Sequence, residues 1–360
     1  MTAIVALVPL LWASAALGFH DGGVASCQGC HVMHEMDNGA AVPVVTESLL
    51  RGSSASDVCL MCHAQGEYSV FGLDPLMPPN ELGAGNFVFL TEDQINDGPG
   101  LAIGGHHAGH SIVAPGLGLM PDPDRPHAPG GSFPSSALGC TSCHDPHGNT
   151  NFRMLHGAGA IQDGLYSFTY PAPQAEGLPF SIPGLQETPS SHTAYRSGFS
   201  DWCANCHGEY HDTVGTANFN HEFDEQLNSD EANRYDNYDG ELNPNGGFHL
   251  SAYLPEVPFE DSSSEISSTS GPTNSSRVSC ITCHRAHATS APAATRWDMR
   301  IPNLGDDGAT SGSWPIPNPY DNPQQKQLCL KCHDESHAYQ SPRSCVVCHA
   351  RSAGGPSPFQ

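Results

Sequence analysis

The chain has 360 residues, a formal net charge of −25, and only about 18% Leu, Ile, Val and Phe, a share typical of disordered chains. Side chains this sparse cannot build a core that offsets the entropy of ordering the chain. Either the chain is disordered, or an apolar group is supplied from outside. Lys326 and Lys331 are the only lysines and no basic patch exists, which excludes a nucleic-acid partner.

The chain begins with an apolar run, AIVALVPLLWASAAL at residues 3–17, that is too short to span a bilayer comfortably. Small residues, Ala16 and Gly18, precede Phe19 at the positions that a signal peptidase reads. We therefore expect residues 1–18 to be a signal peptide, although the usual basic segment before the run is missing. No later segment could span a bilayer, so the mature chain is expected to have no membrane span.

The 14 cysteines form seven C-x-x-C pairs, and histidine follows the second cysteine in every pair. Zinc ribbons, redox dithiols and disulfides do not require that histidine, and its chance recurrence in all seven has a probability on the order of 10⁻⁹. The pattern predicts seven covalently attached haem c groups, each with that histidine as proximal iron ligand. Numbered I to VII, the sites are Cys27, Cys30 and His31; Cys59, Cys62 and His63; Cys140, Cys143 and His144; Cys203, Cys206 and His207; Cys280, Cys283 and His284; Cys329, Cys332 and His333; and Cys345, Cys348 and His349.

The stretches between the sites are rich in Pro and Gly, which excludes long helices. Residues 260–276, EDSSSEISSTSGPTNSS, are typical of a solvated loop. We predict a mostly irregular fold, coil with short helices and 3-10 turns, around a core of stacked haems. Residues 19–360 are expected to form a single heptahaem cytochrome domain.

Second histidines recur three or four residues after a proximal histidine. Side chains at this spacing leave the same side of one helical turn, so the second ring cannot reach the opposite face of the haem that the first ring holds. Each second histidine is therefore predicted to ligate a different haem. These histidines are His34, His147, His211, His287 and His337.

If every iron has two histidine ligands, at least two ligands must come from elsewhere in the chain. His110 and His221 are the main candidates, with His20 as a third. The other histidines are expected to contact haem propionates or the solvent; they include His106, His107, His127, His156, His192 and His249. Spare histidines outnumber the eight methionines, so low-potential bis-histidine haem is the expected state.

Several segments resemble the family of extracellular cytochrome nanowires, in the family's order: FHDGGVASCQGCHVMH, GHSIVAPG, APGGSFPSSALGCTSCHDPHG, WCANCHGEYH, SAYLPEVPF, VSCITCHRAHA and QLCLKCH. The resemblance covers nearly the whole mature chain. It implies a filament of identical subunits, mostly coil, with stacked haem pairs that carry electrons over long range outside the cell. It also implies that His34 ligates the His284 haem of a neighbouring subunit. Site VII lies outside the pattern of the resemblance.

The expected protein is thus secreted by way of the periplasm to the cell surface or beyond, with other cytochromes or extracellular electron acceptors as partners. Two alternatives stay open. One is a monomeric periplasmic multihaem electron carrier. The other is a multihaem nitrite or hydroxylamine reductase. Such an enzyme needs an open iron position, and no C-x-x-C-K site is present, so we predict that the protein is not an enzyme.

Overall fold

The computed structural model describes residues 27–32, 49–64, 70–74, 83–92, 105–161, 164, 166–178, 191–211, 225–237, 257–268, 270–297 and 328–332, with the backbone of strands at 36–37, 40–41, 95–96 and 102–103. The expected signal peptide, site VII and the side chain of Cys329 lie outside this set, as do His20, His34, His221, His333 and His337.

Most of the described chain is coil, and its α-helices are short, as the Pro and Gly content predicts. Nearly all of them carry a C-x-x-C pair. The helices are α1 (Cys27–Cys30), α2 (Ala55–His63), α3 (Cys140–Cys143), α4 (Phe199–His211), α5 (Ser229–Asn237) and α6 (Cys280–Cys283). Single 3-10 turns span Phe87–Leu90, Gly105–His107, Pro115–Leu117, Ser135–Ala137, Phe152–Met154, Pro292–Ala294 and Leu328–Lys331.

Short antiparallel hairpins add regular structure that the sequence did not predict. A two-stranded hairpin is marginal on its own, so each depends on packing against the rest of the chain. For example, Ile161 and Phe168 pack against Phe133. The hairpins pair β1 (Met36–Asp37) with β2 (Ala40–Ala41), β3 (Ile95–Asn96) with β4 (Ala102–Ile103), β5 (Gly159–Ile161) with β6 (Tyr166–Phe168), and β7 (Gln174–Glu176) with β8 (Ala194–Ser197).

Within the described residues, the apolar core consists of small clusters, and each has at most seven buried members. One joins Leu60 of α2 to Phe71, Phe87 and Ile112. Another joins Val88 and Phe89 to Ala108 and Ala288. This division matches the low apolar content of the sequence and leaves room for cofactors between the clusters.

The fold contains the same two-site unit twice. The hydroxyl of Ser56, in α2, accepts a hydrogen bond of 3.2 Å from the backbone N–H of Cys140. The hydroxyl of Ser200, in α4, accepts a bond of the same length from the N–H of Cys280. Sites II and III therefore meet as sites IV and V do. None of the helices in the described ranges is long and apolar enough to cross a membrane.

Candidate haem-binding sites

Sites III and V hold their histidines with one common turn. Each four-residue helix ends in a histidine with extended backbone, at φ −111° for His144 and φ −114° for His284. The N–H of Asp145 then donates to the carbonyl of Met154 at 2.8 Å. In site V, the N–H of Arg285 donates to the carbonyl of Ala294 at 2.7 Å. The equivalent residues lie 140 positions apart.

Where the chain comes back to the proximal histidine, two successive residues have left-handed backbone. Their φ angles are 50° and 57° at Arg153 and Met154, and 56° at both Ala293 and Ala294. Left-handed backbone costs roughly 1–2 kcal/mol per non-glycine residue. This strained geometry aims the carbonyls of Arg153 and Ala293 at the Nδ1 atoms of the two histidines, at 2.9 and 3.0 Å.

The same contact recurs at other candidate ligands. A carbonyl oxygen only accepts, so each of these Nδ1 atoms carries the proton, and Nε2 is left with the lone pair that binds a metal. The donors and their acceptor carbonyls are His110 to Ala286 (2.6 Å), His144 to Arg153 (2.9 Å), His207 to Pro129 (2.7 Å), His284 to Ala293 (3.0 Å) and His287 to Gly85 (3.3 Å).

Three pairs of histidine rings stand at the separation expected for two ligands of one metal ion. Metal–nitrogen bonds of about 2 Å on both sides, with about 1.1 Å more to each ring centre, separate the centres by about 6 Å. The observed pairs are His31 with His147 (6.3 Å), His110 with His207 (5.9 Å) and His144 with His287 (6.4 Å).

The pairs join different sites. His147 follows site III but faces the proximal histidine of site I. His287 follows site V but faces the proximal histidine of site III. His110 precedes site III along the chain and faces His207 of site IV. For His147 and His287, these ring pairs agree with the prediction that a second histidine serves a different site; His110 was predicted without that offset.

The local environment favours the neutral form of several candidate ligands. Desolvation by the surrounding protein lowers the pKa of His207 to about 4 and that of His287 to about 3. Desolvation also lowers the pKa of His110, His144 and His284. An imidazole must be neutral to bind a metal, so the protein prepares the rings for ligation at neutral pH.

The attachment cysteines form a line through the molecule in chain order. The thiols of Cys59 and Cys140 are in hydrogen-bonding contact, as are those of Cys203 and Cys280. Between these contacts the thiols are electrostatic neighbours. The successive links are Cys30 with Cys62 (I and II), Cys59 with Cys140 (II and III), Cys143 with Cys206 (III and IV) and Cys203 with Cys280 (IV and V).

These residues fit covalent haem better than zinc or a disulfide. The described cysteines form no disulfide with one another. Burial raises the pKa of the Cys143 thiol to about 12 and that of Cys206 to about 11, which disfavours the thiolate that zinc requires. The same apolar setting suits a thioether. The paired histidine rings would hold the iron of a bound haem between them.

Other histidines are placed differently. Nε2 of His211, an expected ligand, lies 2.9 Å from a carboxylate oxygen of Asp201. Nε2 of His156 faces the carbonyl of Thr141 at 3.0 Å. The ring of His192 is buried, with its nitrogens against the carbonyls of Thr193 and Ser268. His156 and His192 thus serve as structural donors.

Sequence reasoning missed the residues that join paired sites and shape their turns. Ser56 and Ser200 both precede the first cysteine of their sites by three positions, in SDVCLMCH and SDWCANCH, and this shared pattern could have indicated their role. The left-handed pairs Arg153–Met154 and Ala293–Ala294 contain no glycine or asparagine, so no composition cue marked them.

The chain is similar to known multihaem proteins. The family model "Doubled CXXCH motif" matches residues 134–162. The C-type cytochrome OmcS of Geobacter sulfurreducens is 28% identical over an alignment that covers 92% of this chain and 97% of OmcS. Cryo-EM structures of the OmcS nanowires and of the Outer Membrane Cytochrome S filament match with TM-scores of 0.71 and 0.73. Both are 26% identical, and each match covers 88% of this chain and 99% of the other.

Similarity over nearly the full length of both chains agrees with the haem motifs and with the paired histidine rings. The protein is a homologue of OmcS and has the fold of a multihaem c-type cytochrome.

Proposed function

We propose that the protein is a secreted heptahaem cytochrome that polymerises into filaments and carries electrons over long range outside the cell. The observation that carries the proposal is the unbroken line of attachment cysteines from site I to site V, crossed by histidine pairs that join different sites. OmcS, its homologue, forms nanowires. Residues 1–18 would be removed on export, and residues 19–360 would form one domain.

The two cysteines of each motif would hold a haem covalently, and the following histidine would bind its iron. Opposite it, His147 would bind the iron of site I, His287 that of site III and His110 that of site IV. His20, His211, His221 and His337 are the proposed source of further distal ligands. Bound haem supplies one-electron chemistry at iron without an open coordination position.

Other groups of the protein would fix the orientation and the tautomer of the histidines that hold each iron. Backbone carbonyls fix the imidazole tautomer, as at His144 and His207. A second histidine opposite the proximal one would also hold the iron, which would exclude small substrates and favour electron transfer over catalysis. The contacts of Cys59 with Cys140 and of Cys203 with Cys280 hold neighbouring sites close together.

Polymerisation would use site V. Nδ1 of His284 donates to the carbonyl of Ala293, which leaves Nε2 available for iron. In the described part of the chain, no histidine ring stands opposite His284 at the spacing of the other pairs. His34 of a neighbouring subunit would supply the second ligand and so link the subunits by a coordination bond.

The decisive experiment combines microscopy and electron paramagnetic resonance on the His34→Ala variant. We expect short oligomers or monomers with one high-spin haem per chain, while wild type forms filaments with seven low-spin haems. Full-length variant filaments with only low-spin haems would refute the bridging role of His34.

The alternatives make different predictions for wild type. Monomers at all protein concentrations would favour a periplasmic carrier. A high-spin signal that responds to nitrite would favour a reductase. The pyridine haemochrome absorbance per chain and mass spectrometry of the intact chain test the count of seven and removal of residues 1–18.

A further inference from the structure

Two adjacent histidines and a carboxylate converge away from the attachment motifs. His106 and His107 end the 3-10 turn Gly105–His107. Asp124 lies on the loop that follows the next 3-10 turn, Pro115–Leu117. Nε2 of His106 is 2.8 Å from Oδ2 of Asp124, and Nε2 of His107 is 3.4 Å from the same oxygen. One ligand atom from each residue lies within 4.8 Å of the others.

We propose that His106, His107 and Asp124 bind a divalent transition-metal ion of the class that includes Zn²⁺. Two imidazole nitrogens and one carboxylate oxygen form the donor set that such ions prefer. Three protein ligands leave a fourth position for water.

The distances fit an ion after a small adjustment. Bonds of about 2.0 Å in tetrahedral geometry separate the ligand atoms by about 3.3 Å. The observed 3.4 Å already has this value, and the 2.8 Å contact must lengthen by about half an ångström. Asp124 can make that shift because 62% of its side chain is exposed.

The backbone on both sides of the cluster is fixed. A Cβ on Gly105 would lie 2.5 Å from the carbonyl oxygen of Leu90, so the turn packs closely on its neighbour. The hydroxyl of Ser111 donates to the carbonyl of His106. On the facing loop, Oδ1 of Asp122 accepts from the N–H groups of Asp124 and Arg125. The three ligands are therefore held in place before an ion arrives.

The charges around the cluster partly balance. Asp122 favours a cation at His107, whereas Arg125 opposes one. Both Nε2 atoms face a carboxylate, unlike His110 and His207, whose Nδ1 atoms donate to carbonyls and whose rings face each other. The ion would connect the segment that carries His110 to the loop at 122–125. It would thereby brace the histidine that faces site IV.

The test uses the haem-loaded protein after treatment with a chelator. Zinc is added, and the metal bound after equilibrium dialysis is measured by mass spectrometry. Haem attachment consumes the cysteines, so they do not compete for zinc. We expect one tightly bound zinc per chain in wild type. Loss of one ligand in Asp124→Asn or His107→Gln should weaken binding by on the order of 100-fold.

His127→Gln is the matched control, because this exposed histidine lies three residues beyond Asp124 and outside the cluster. It should bind zinc as wild type does. X-ray absorption at the zinc edge should show two imidazole ligands. Absence of tight zinc binding in wild type would overturn the proposal, as would unchanged binding in Asp124→Asn or a spectrum without imidazole. If His107→Gln loses haem, the zinc bound by Asp124→Asn is compared with that bound by wild type instead.

Discussion

Residues 140–156 and 280–296 build the same haem turn from different side chains. Both have a four-residue helix, an extended histidine and two left-handed residues. One copy places Arg153 and Met154 at the left-handed positions, and the other places two alanines there. The position after the proximal histidine is Asp145 in one copy and Arg285 in the other. The turn therefore depends on backbone geometry, whereas the size and charge of its side chains can vary.

The two copies of the turn differ in whether a second histidine ring faces the proximal histidine. His144 faces His287 of the same chain, while no described ring stands opposite His284 at that spacing. The same local turn thus faces a second histidine of its own chain at site III, whereas at site V the described residues provide no such ring.

Removal of haem attachment at site III should have the largest effect. Site III contacts site II through Cys59, approaches site IV through Cys206, and places His147 opposite His31 of site I. Because cofactor binding contributes folding free energy and the apolar clusters are small, Cys140→Ala with Cys143→Ala should yield degraded chain. Haem-stained gels and limited proteolysis measure this. A compact, protease-resistant product lacking only haem III would contradict the prediction.

Loss of His287 should open one iron without breaking filaments. His287 faces His144 of the same chain, so His287→Ala should leave site III with one axial ligand. We expect one high-spin haem and one bound carbon monoxide per chain, measured by electron paramagnetic resonance and titration. Wild type, with every iron closed, should bind none. His34→Ala should break filaments instead. Entirely low-spin His287→Ala filaments would show that the ring pair is not an axial pair.

Sequence alone predicted the chemistry and the general fold, because the C-x-x-C-H motif is local and the Pro and Gly content limits helix length. It also predicted that His147 and His287 would each serve another site. It could not give the partner of either histidine, since that depends on contacts between residues more than 100 positions apart, such as His31 with His147.

The hairpin β5–β6 and the cluster of His106, His107 and Asp124 could not be predicted from the sequence, because both depend on tertiary packing. The hairpin β5–β6 forms because tertiary packing of Ile161 and Phe168 overrides weak local preference. His106 and His107 were expected to contact propionates or solvent, and only the fold brings Asp124 to them.

The buried hydroxyls of the two attachment helices should contribute a smaller amount. Oγ1 of Thr282 accepts from the N–H of Ser279 at 2.9 Å, and Oγ of Ser142 accepts from Gly139 at 3.0 Å. Thr282→Val keeps the shape but leaves the buried N–H unsatisfied, at a cost of about 1–3 kcal/mol. Urea unfolding of the haem-loaded protein measures the loss, and Ser142→Ala should give a similar value. No loss in either variant would show that the helices do not need these bonds.

Glycine at the left-handed positions should stabilise both copies slightly. Met154→Gly and Ala294→Gly relieve roughly 1–2 kcal/mol of backbone strain, offset by about 0.5–1 kcal/mol of added freedom in the unfolded chain. We expect a net gain of up to about 1 kcal/mol in urea unfolding. Ala291→Gly, outside the left-handed positions, is the control and should destabilise. A loss in both test variants would mean that their side chains contribute more than the strain costs.

The smallest expected effect concerns α4, which lacks the capping serine of its counterpart α2. The hydroxyl of Ser54 caps α2 by accepting from the N–H of Asp57 at 3.1 Å. At the start of α4, Oε1 of buried Glu260 accepts from the N–H of Phe199 at 2.6 Å. Burial raises the pKa of Glu260 above its ordinary value.

A carboxyl with a raised pKa favours folding while it is protonated, and that contribution is lost as the pH rises through the folded-state pKa. Glu260→Gln keeps an acceptor for Phe199 but cannot ionise, so it should lack this loss. Between acidic and neutral pH, the urea midpoint of wild type should therefore fall relative to that of Glu260→Gln. Glu265→Gln, on an exposed turn, controls for the removal of one charge. A constant gap between wild type and Glu260→Gln across this pH range would show that Glu260 ionises as easily in the fold as in the unfolded chain.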